Sequence, residues 1–212
     1  MIFICSIAIF ISMIFCIWSR KNKKQSLEFL FKPLTIILIF LLPLMIFSMS
    51  ENCLFIHYII FGLFFSIIGD CLLMLKQKYF VIGLISFLIT HVFYLAAILS
   101  INPFNFSWIV LLFLFLWFLF NRSTLPSVSP SIKPAVLIYS LVIGILFWQA
   151  GELLLIELTN QTIFFFIGIT LFLISDWMLA ENLFKSPNKF SFVMLPIYFT
   201  GQWFIAISAI IK

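Results

Sequence analysis

Eight apolar runs, at about residues 2–18, 34–49, 54–75, 80–100, 106–120, 135–157, 162–180 and 191–211, leave this chain few options. Helices of roughly 20 apolar residues cross the hydrocarbon core of a bilayer, and somewhat shorter ones do so where the bilayer thins. In lipid every backbone N–H and C=O must be bonded within the protein, so a run of this length folds as a helix. With 65% hydrophobic and 9% charged residues in 212, the chain has too little polar surface for a water-soluble domain. The expectation is an all-α integral membrane protein with eight transmembrane helices, lying in the cytoplasmic (inner) membrane if the source is a bacterium.

The basic residues orient it. Arg20, Lys21, Lys23, Lys24 and Lys32 precede the second run, and Lys76 and Lys78 follow the third. Arg122 and Lys133 follow the fifth, Lys185 and Lys189 the seventh, and the intervening connections carry none. Eleven of the twelve Lys and Arg thus fall on one side, Lys212 being the other. By the positive-inside rule that side is cytoplasmic, and both termini are non-cytoplasmic. The net charge of +5 is therefore read as topology and headgroup attraction, with no nucleic-acid partner. Residues 1–18 have no basic stretch before them and no small-residue cleavage site, so they read as a first membrane helix. Cys5, Cys16, Cys53 and Cys71 fall singly, which gives neither a disulfide framework nor a metal site.

The whole of 1–212 reads as one transmembrane domain. Its halves, about 1–120 and 134–212, are joined by the Ser- and Pro-rich cytoplasmic connection 121–133. The halves look alike. Lys32-Pro33 is expected to open the second helix and Lys133-Pro134 the sixth, proline being at home in a first helical turn. Gly69-Asp70 lies near the end of the third run and Ser175-Asp176 near the end of the seventh, each with a Leu three residues on. Four runs separate the equivalent elements, which implies a parallel four-plus-four repeat.

Asp70 and Asp176 are the functional candidates. A charged side chain inside an apolar span costs about 2.5–3.5 kcal/mol on insertion scales, and helix formation does not require it. Gly62, Ser66 and Asp70 share one helix face, Ser86, Thr90 and Tyr94 another with His91 beside it, and Tyr198 and Gln202 lie one turn apart. These faces are expected to surround a polar cavity shared by the two carboxylates. A structural hydrogen-bonding role is the competing account of either Asp alone, and simple packing that of His91 and the tyrosines. Lys32 and Lys133 read as snorkelling anchors, with headgroup phosphate as the second option for both. Glu152 and Glu157 are expected to reach water at the outer end of the sixth run.

These segments resemble the lysoplasmalogenase-like YhhN family. The resemblance is carried by Ser66–Leu75, by Gly83–Tyr94 with its Thr90-His91, by Phe172–Ala180 with Ser175-Asp176, and by Lys32-Pro33, Tyr139, Tyr198 and Gln202. Gly144–Trp148 departs from the family pattern at a position concerned with helix packing. The resemblance implies an eight-span hydrolase that splits the vinyl ether bond of lysoplasmalogens into a fatty aldehyde and a glycerophospho-base. It implies a lysophospholipid drawn from the bilayer and water as co-substrate, with no cofactor or metal. Asp70 and Asp176 would be the acid and its carboxylate partner in either order. His91 would orient water or an Asp, and Lys32, Tyr94, Tyr139, Tyr198 and Gln202 would line the substrate site. Vinyl ether hydrolysis starts by protonating the β-carbon, so one neutral acid beside one anionic group suits it.

Three other readings stay open on the residues alone: a proton-coupled transporter, a hydrolase of a different lysolipid, and a structural or lipid-binding membrane protein. An intramembrane aspartyl protease fits badly, because Ile67 stands where its Gly-x-Gly-Asp motif requires glycine.

Overall fold

A computed structural model describes residues 2–45, 53–75, 77–187 and 189–211. Lys76, Lys212 and the last residues of the expected second run lie outside them. Among the described residues eight α-helices follow one another along the chain: α1 (Ile2–Lys21), α2 (Gln25–Leu44), α3 (Cys53–Met74), α4 (Phe80–Ile101), α5 (Ile109–Thr124), α6 (Lys133–Ile156), α7 (Asn160–Phe184) and α8 (Met194–Ser208). No strand occurs among the described residues. Seven of the helices are long and apolar enough to cross a bilayer, and the chain is an integral, multi-pass membrane protein.

The eighth helix is shorter than expected, with 15 residues. At 1.5 Å per residue it covers about 22 Å, less than the hydrocarbon thickness. It does not need to span lipid unaided, because it sits inside the bundle: Gln202, Ile205, Ala206 and Ser208 are fully buried. The closest helix pairings are α3 with α4 and α7 with α8. The second pairing depends on glycine. A Cβ at Gly168 of α7 would stand 2.8 Å from the carbonyl oxygen of Gly201 on α8, and one at Gly201 would stand 3.0 Å from that of Gly168. The two backbones therefore approach as closely as small residues allow.

The start of α2 is a correction. Lys32-Pro33 does not open it; the helix begins at Gln25, two turns earlier, and runs through Pro33. Pro33 has no N–H to give the carbonyl of Phe29, so the helix carries one missing bond there. The extra turns are held from outside the apolar run. Arg20 donates from Nε at 2.8 Å and Nη2 at 2.6 Å to Glu28 Oε1, and from Nη1 at 3.1 Å to the carbonyl of Ser191. The α1–α2 turn closes with Lys23 at φ 55°, Lys24 N–H donating to Ser19 O and Lys23 N–H to Arg20 O. That is a glycine-type helix termination made by a lysine. At α6 the expectation stands, with Pro134 in the first turn.

Two further features fix the periphery. Glu152 does not reach water: it is buried, and its Oε1 accepts from Trp148 Nε1 at 2.7 Å, Ser107 N at 2.9 Å and Ser107 Oγ at 2.8 Å. It pins the α4–α5 connection to α6. Gly144 of α6 admits the ring of Phe113 from α5, and Phe113 stacks on Trp148 at 6.0 Å. These contacts pack α5 against α6.

Candidate functional site

The Gly62–Ser66–Asp70 face of α3 turns inward and meets α4 and α8. Gly62 leaves room for the Tyr94 ring, which lies where a Cβ would be. From there a hydrogen-bonded chain runs in one direction. Tyr94 Oη donates to Gln202 Oε1 at 2.6 Å, and Gln202 Nε2 donates to Ser66 Oγ at 2.8 Å. Ser66 and Tyr198 hydroxyls lie 2.7 Å apart, and Tyr198 Oη donates to Asp70 Oδ2 at 2.7 Å. Since the Tyr198 proton goes to Asp70, Ser66 is the donor to Tyr198. On the other carboxylate oxygen, Lys32 Nζ of α2 stands 2.9 Å from Asp70 Oδ1. Both side chains are almost fully buried, at 9% and 3% exposure.

Lys32 is therefore no surface anchor. It is the buried counter-ion of Asp70, and the pair gives each charge the partner that burial demands. Around this cluster α4 is stapled to α3 by Ser86 Oγ donating to Phe65 O at 2.7 Å and Thr90 Oγ1 donating to Gly62 O at 3.1 Å.

Asp176 on α7 belongs to a second cluster. Tyr139 Oη of α6 donates to Asp176 Oδ2 at 2.6 Å, and His91 Nε2 of α4 stands 3.7 Å from the same oxygen. That gap is too long for a direct hydrogen bond. His91 is fully buried, and neither ring nitrogen has a hydrogen-bond partner among the described residues. The Phe87 carbonyl one turn earlier on α4 lies against the ring, and Nε2 faces the Asp176 carboxyl just beyond direct reach. The imidazole is held edge-on by Tyr139 at 5.2 Å and Phe172 at 4.8 Å.

Asp176 and Tyr139 lie in the wall of a cavity of about 620 Å³ among α4, α5, α6 and α7. Most of its lining is apolar, including Phe87, Leu116, Ile143 and Phe147, and Trp117 and Trp177 also face it. Its size and lining suit a small lipid held by its tail. Asp70 is not in this wall, which corrects the expectation of one cavity shared by both carboxylates. Phe172 and Phe87 stand between the clusters, Phe172 contacting His91 on one side and Tyr198 at 5.4 Å on the other.

The structure thus gathers Lys32, Asp70, Tyr94, Tyr198 and Gln202 around one carboxylate, and His91 and Tyr139 around the other. It also adds residues that sequence reading missed. Phe87 and Phe172 separate the clusters, Trp117 and Trp177 line the cavity, and Ser123 with Lys185 sits at its edge. Ser66 appeared earlier only as a small residue on the Asp70 face. For the aromatic residues the sequence carried no signal, since 19% of the chain is aromatic.

The sequence model described as the YhhN family matches residues 27–209. Two curated relatives, Lysoplasmalogenase TMEM86A of Bos taurus and Lysoplasmalogenase TMEM86A of Homo sapiens, are each 31% identical over 159 residues. The match covers 70% of this chain and 63% of either relative's length. No solved structure matches.

Proposed function

The chain belongs to the YhhN family, and on that footing we propose that it is a membrane-embedded hydrolase that cleaves the vinyl ether bond of lysoplasmalogens. The observation that carries the reading is a carboxyl and a tyrosine hydroxyl at the wall of an apolar cavity, with a buried histidine behind them. The relatives' printed activity points to the same chemistry.

Asp176 is the acid. No Lys or Arg among the described residues lies within salt-bridge distance of it, its nearest basic group being His91 Nε2 at 3.7 Å, and on this reading the resting site is a neutral carboxylic acid beside a neutral imidazole. Tyr139 occupies Oδ2, so the proton sits on Oδ1. Transfer of that proton to the β-carbon of the vinyl ether gives an oxocarbenium ion, which the new carboxylate faces. Water adds to the α-carbon and gives its proton to His91. The hemiacetal then collapses: its hydroxyl gives a proton to the Asp176 carboxylate, the carbon–oxygen bond to glycerol breaks, the glycerol oxygen takes the proton held by His91, and the aldehyde leaves. One water is consumed, and Asp176 and His91 return to their starting forms.

Asp70 is paired with Lys32 and acts one layer away. It fixes Tyr198, which supports Phe172 and, through it, the His91 ring. Asp70, Lys32, Tyr94, Tyr198 and Gln202 are thus positioning residues on this reading.

The test is aldehyde release from choline and ethanolamine lysoplasmalogens by detergent-purified protein, beside acyl lysolipid and an Asp176→Asn variant. Aldehyde from the vinyl ether lipids that disappears in the variant supports the proposal. Undiminished release by the variant removes Asp176 from the chemistry. A proton-coupled transporter is the second reading, favoured by the Lys32–Asp70 pair, which lies buried outside the cavity. It expects no product from purified protein. The same basic-end reading puts Arg20, Lys133 and Lys185 at the cytoplasmic face and both termini outside.

A further inference from the structure

The cavity ends at a built cationic group that the reaction does not use. At the basic end of the bundle Ser123, Leu183 and Phe184 line its mouth. Lys185, one residue beyond α7, folds back over this mouth: its Nζ lies 2.7 Å from Ser123 Oγ on α5 and 2.8 Å from Glu181 Oε1, one turn earlier. Glu181 is buried at 7% side-chain exposure, and its other oxygen lies 3.9 Å from Lys189 Nζ. One buried carboxylate therefore holds two ammonium groups, and the mouth keeps an excess of positive charge.

We propose that Lys185, with the Ser123 hydroxyl, recognises the phosphate of the lysolipid headgroup. The inference rests on reading the cavity as the substrate's site and assigns the end from which the headgroup enters. Lys185 spends two of its three N–H bonds on Glu181 and Ser123, and Ser123 accepts that bond, which leaves its own O–H to give. An ammonium and a hydroxyl side by side make charge-assisted donors for a phosphate oxygen.

The spacing agrees. Lys185 follows Asp176 by nine residues, about 13 Å along a helix axis. Its ammonium is drawn back to Glu181, which follows Asp176 by only five residues, about 7 Å of helix. The ammonium then stands about 7 Å from the level of the acid. Six bonds separate the vinyl ether α-carbon from phosphorus in an sn-1 lysolipid, a span of about 7 Å when extended. A lipid with its vinyl ether at Asp176 therefore brings its phosphate to Lys185, while its tail turns toward Phe113, Phe147 and Thr170 at the other end of the cavity.

Trp117 and Trp177 line the cavity, so binding is readable without turnover. Purified protein in maltoside detergent is titrated with a bromine-labelled lysophosphatidylcholine and with the monoacylglycerol of the same chain, following tryptophan quenching. The wild type should hold the phospholipid about tenfold tighter, the value of one charge-assisted contact. Lys185→Met should bring it down to the monoacylglycerol's affinity, and Lys185→Arg should retain most of the preference. If Lys185→Met does not fold, Ser123→Ala makes the same comparison with a smaller loss. Equal affinity of the wild type for both lipids, or a loss shared by both, overturns the assignment. Displacement of the lipid by equimolar inorganic phosphate overturns the lipid as the source of the anion, and its failure to displace supports it. A protein that binds with this preference but cleaves no vinyl ether keeps the headgroup site and drops the proposed reaction.

Discussion

Asp176 and Asp70 share a residue type and an apolar setting, yet their partners separate them. Asp176 has a tyrosine hydroxyl and an open cavity beside it, whereas Asp70 has a lysine and a tyrosine and is enclosed. Asp176→Asn should lower aldehyde release by at least about 100-fold, the usual value of a positioned acid, with folding intact by size-exclusion chromatography. Tyr139→Phe, which removes one donor from Oδ2, should lower kcat by about tenfold. At the other site the expected loss is stability. Lys32→Met or Asp70→Leu alone leaves a buried charge unpaired and should cost about 3–5 kcal/mol, measured by denaturant unfolding in detergent. The double variant should recover much of that loss, and a sum of the two single effects would refute the pairing. Both aspartates were legible in the sequence because charge is rare in apolar runs. Their partners were not: Lys32 sits at the edge of an apolar run and reads as an anchor until α3 is packed against α2.

Helix identity was legible from hydropathy alone, but helix limits were not. Residues 25–31 add two turns to α2 outside the apolar run, held by the Arg20–Glu28 pair, and hydropathy cannot register turns of that kind. The brevity of α8 is equally invisible, because a helix shielded by its neighbours carries no requirement on length. Glycines give a test at this scale. Gly168→Ala presses a methyl against the backbone of Gly201 and Ile205, and should destabilise by about 1–3 kcal/mol. Gly151→Ala meets its nearest atoms at 3.5 Å and should be neutral or mildly stabilising, since alanine is the better helix former. Thermal unfolding of both variants in one detergent decides it, and a larger loss at Gly151 would contradict the packing described for α7 and α8. The cavity was beyond sequence reading for a related reason: periodicity tells which face of a helix turns inward, but a void arises where several inward faces fail to fill the space between them.

For the whole molecule, the basic connections meet at one end. There Arg20 reaches the α7–α8 connection and Lys185 reaches the end of α5. If that end is cytoplasmic, alkaline phosphatase fused after α8 should be active and a fluorescent protein fused there dark; the reverse result would invert the topology. The Lys32–Asp70 contact has a consequence for how such a chain is made. α2 and α3 are consecutive, so they emerge from the ribosome together, and each carries one charge that the bilayer resists. Joined, the two enter as a hairpin with no net charge at that level, before α8 has been translated to supply Tyr198. Biosynthetic entry of α3 should therefore depend on the helix before it. In a chain truncated after α3, Lys32→Met should lower the inserted fraction of α3, scored by glycosylation mapping, and Asp70→Asn in the same chain should restore it.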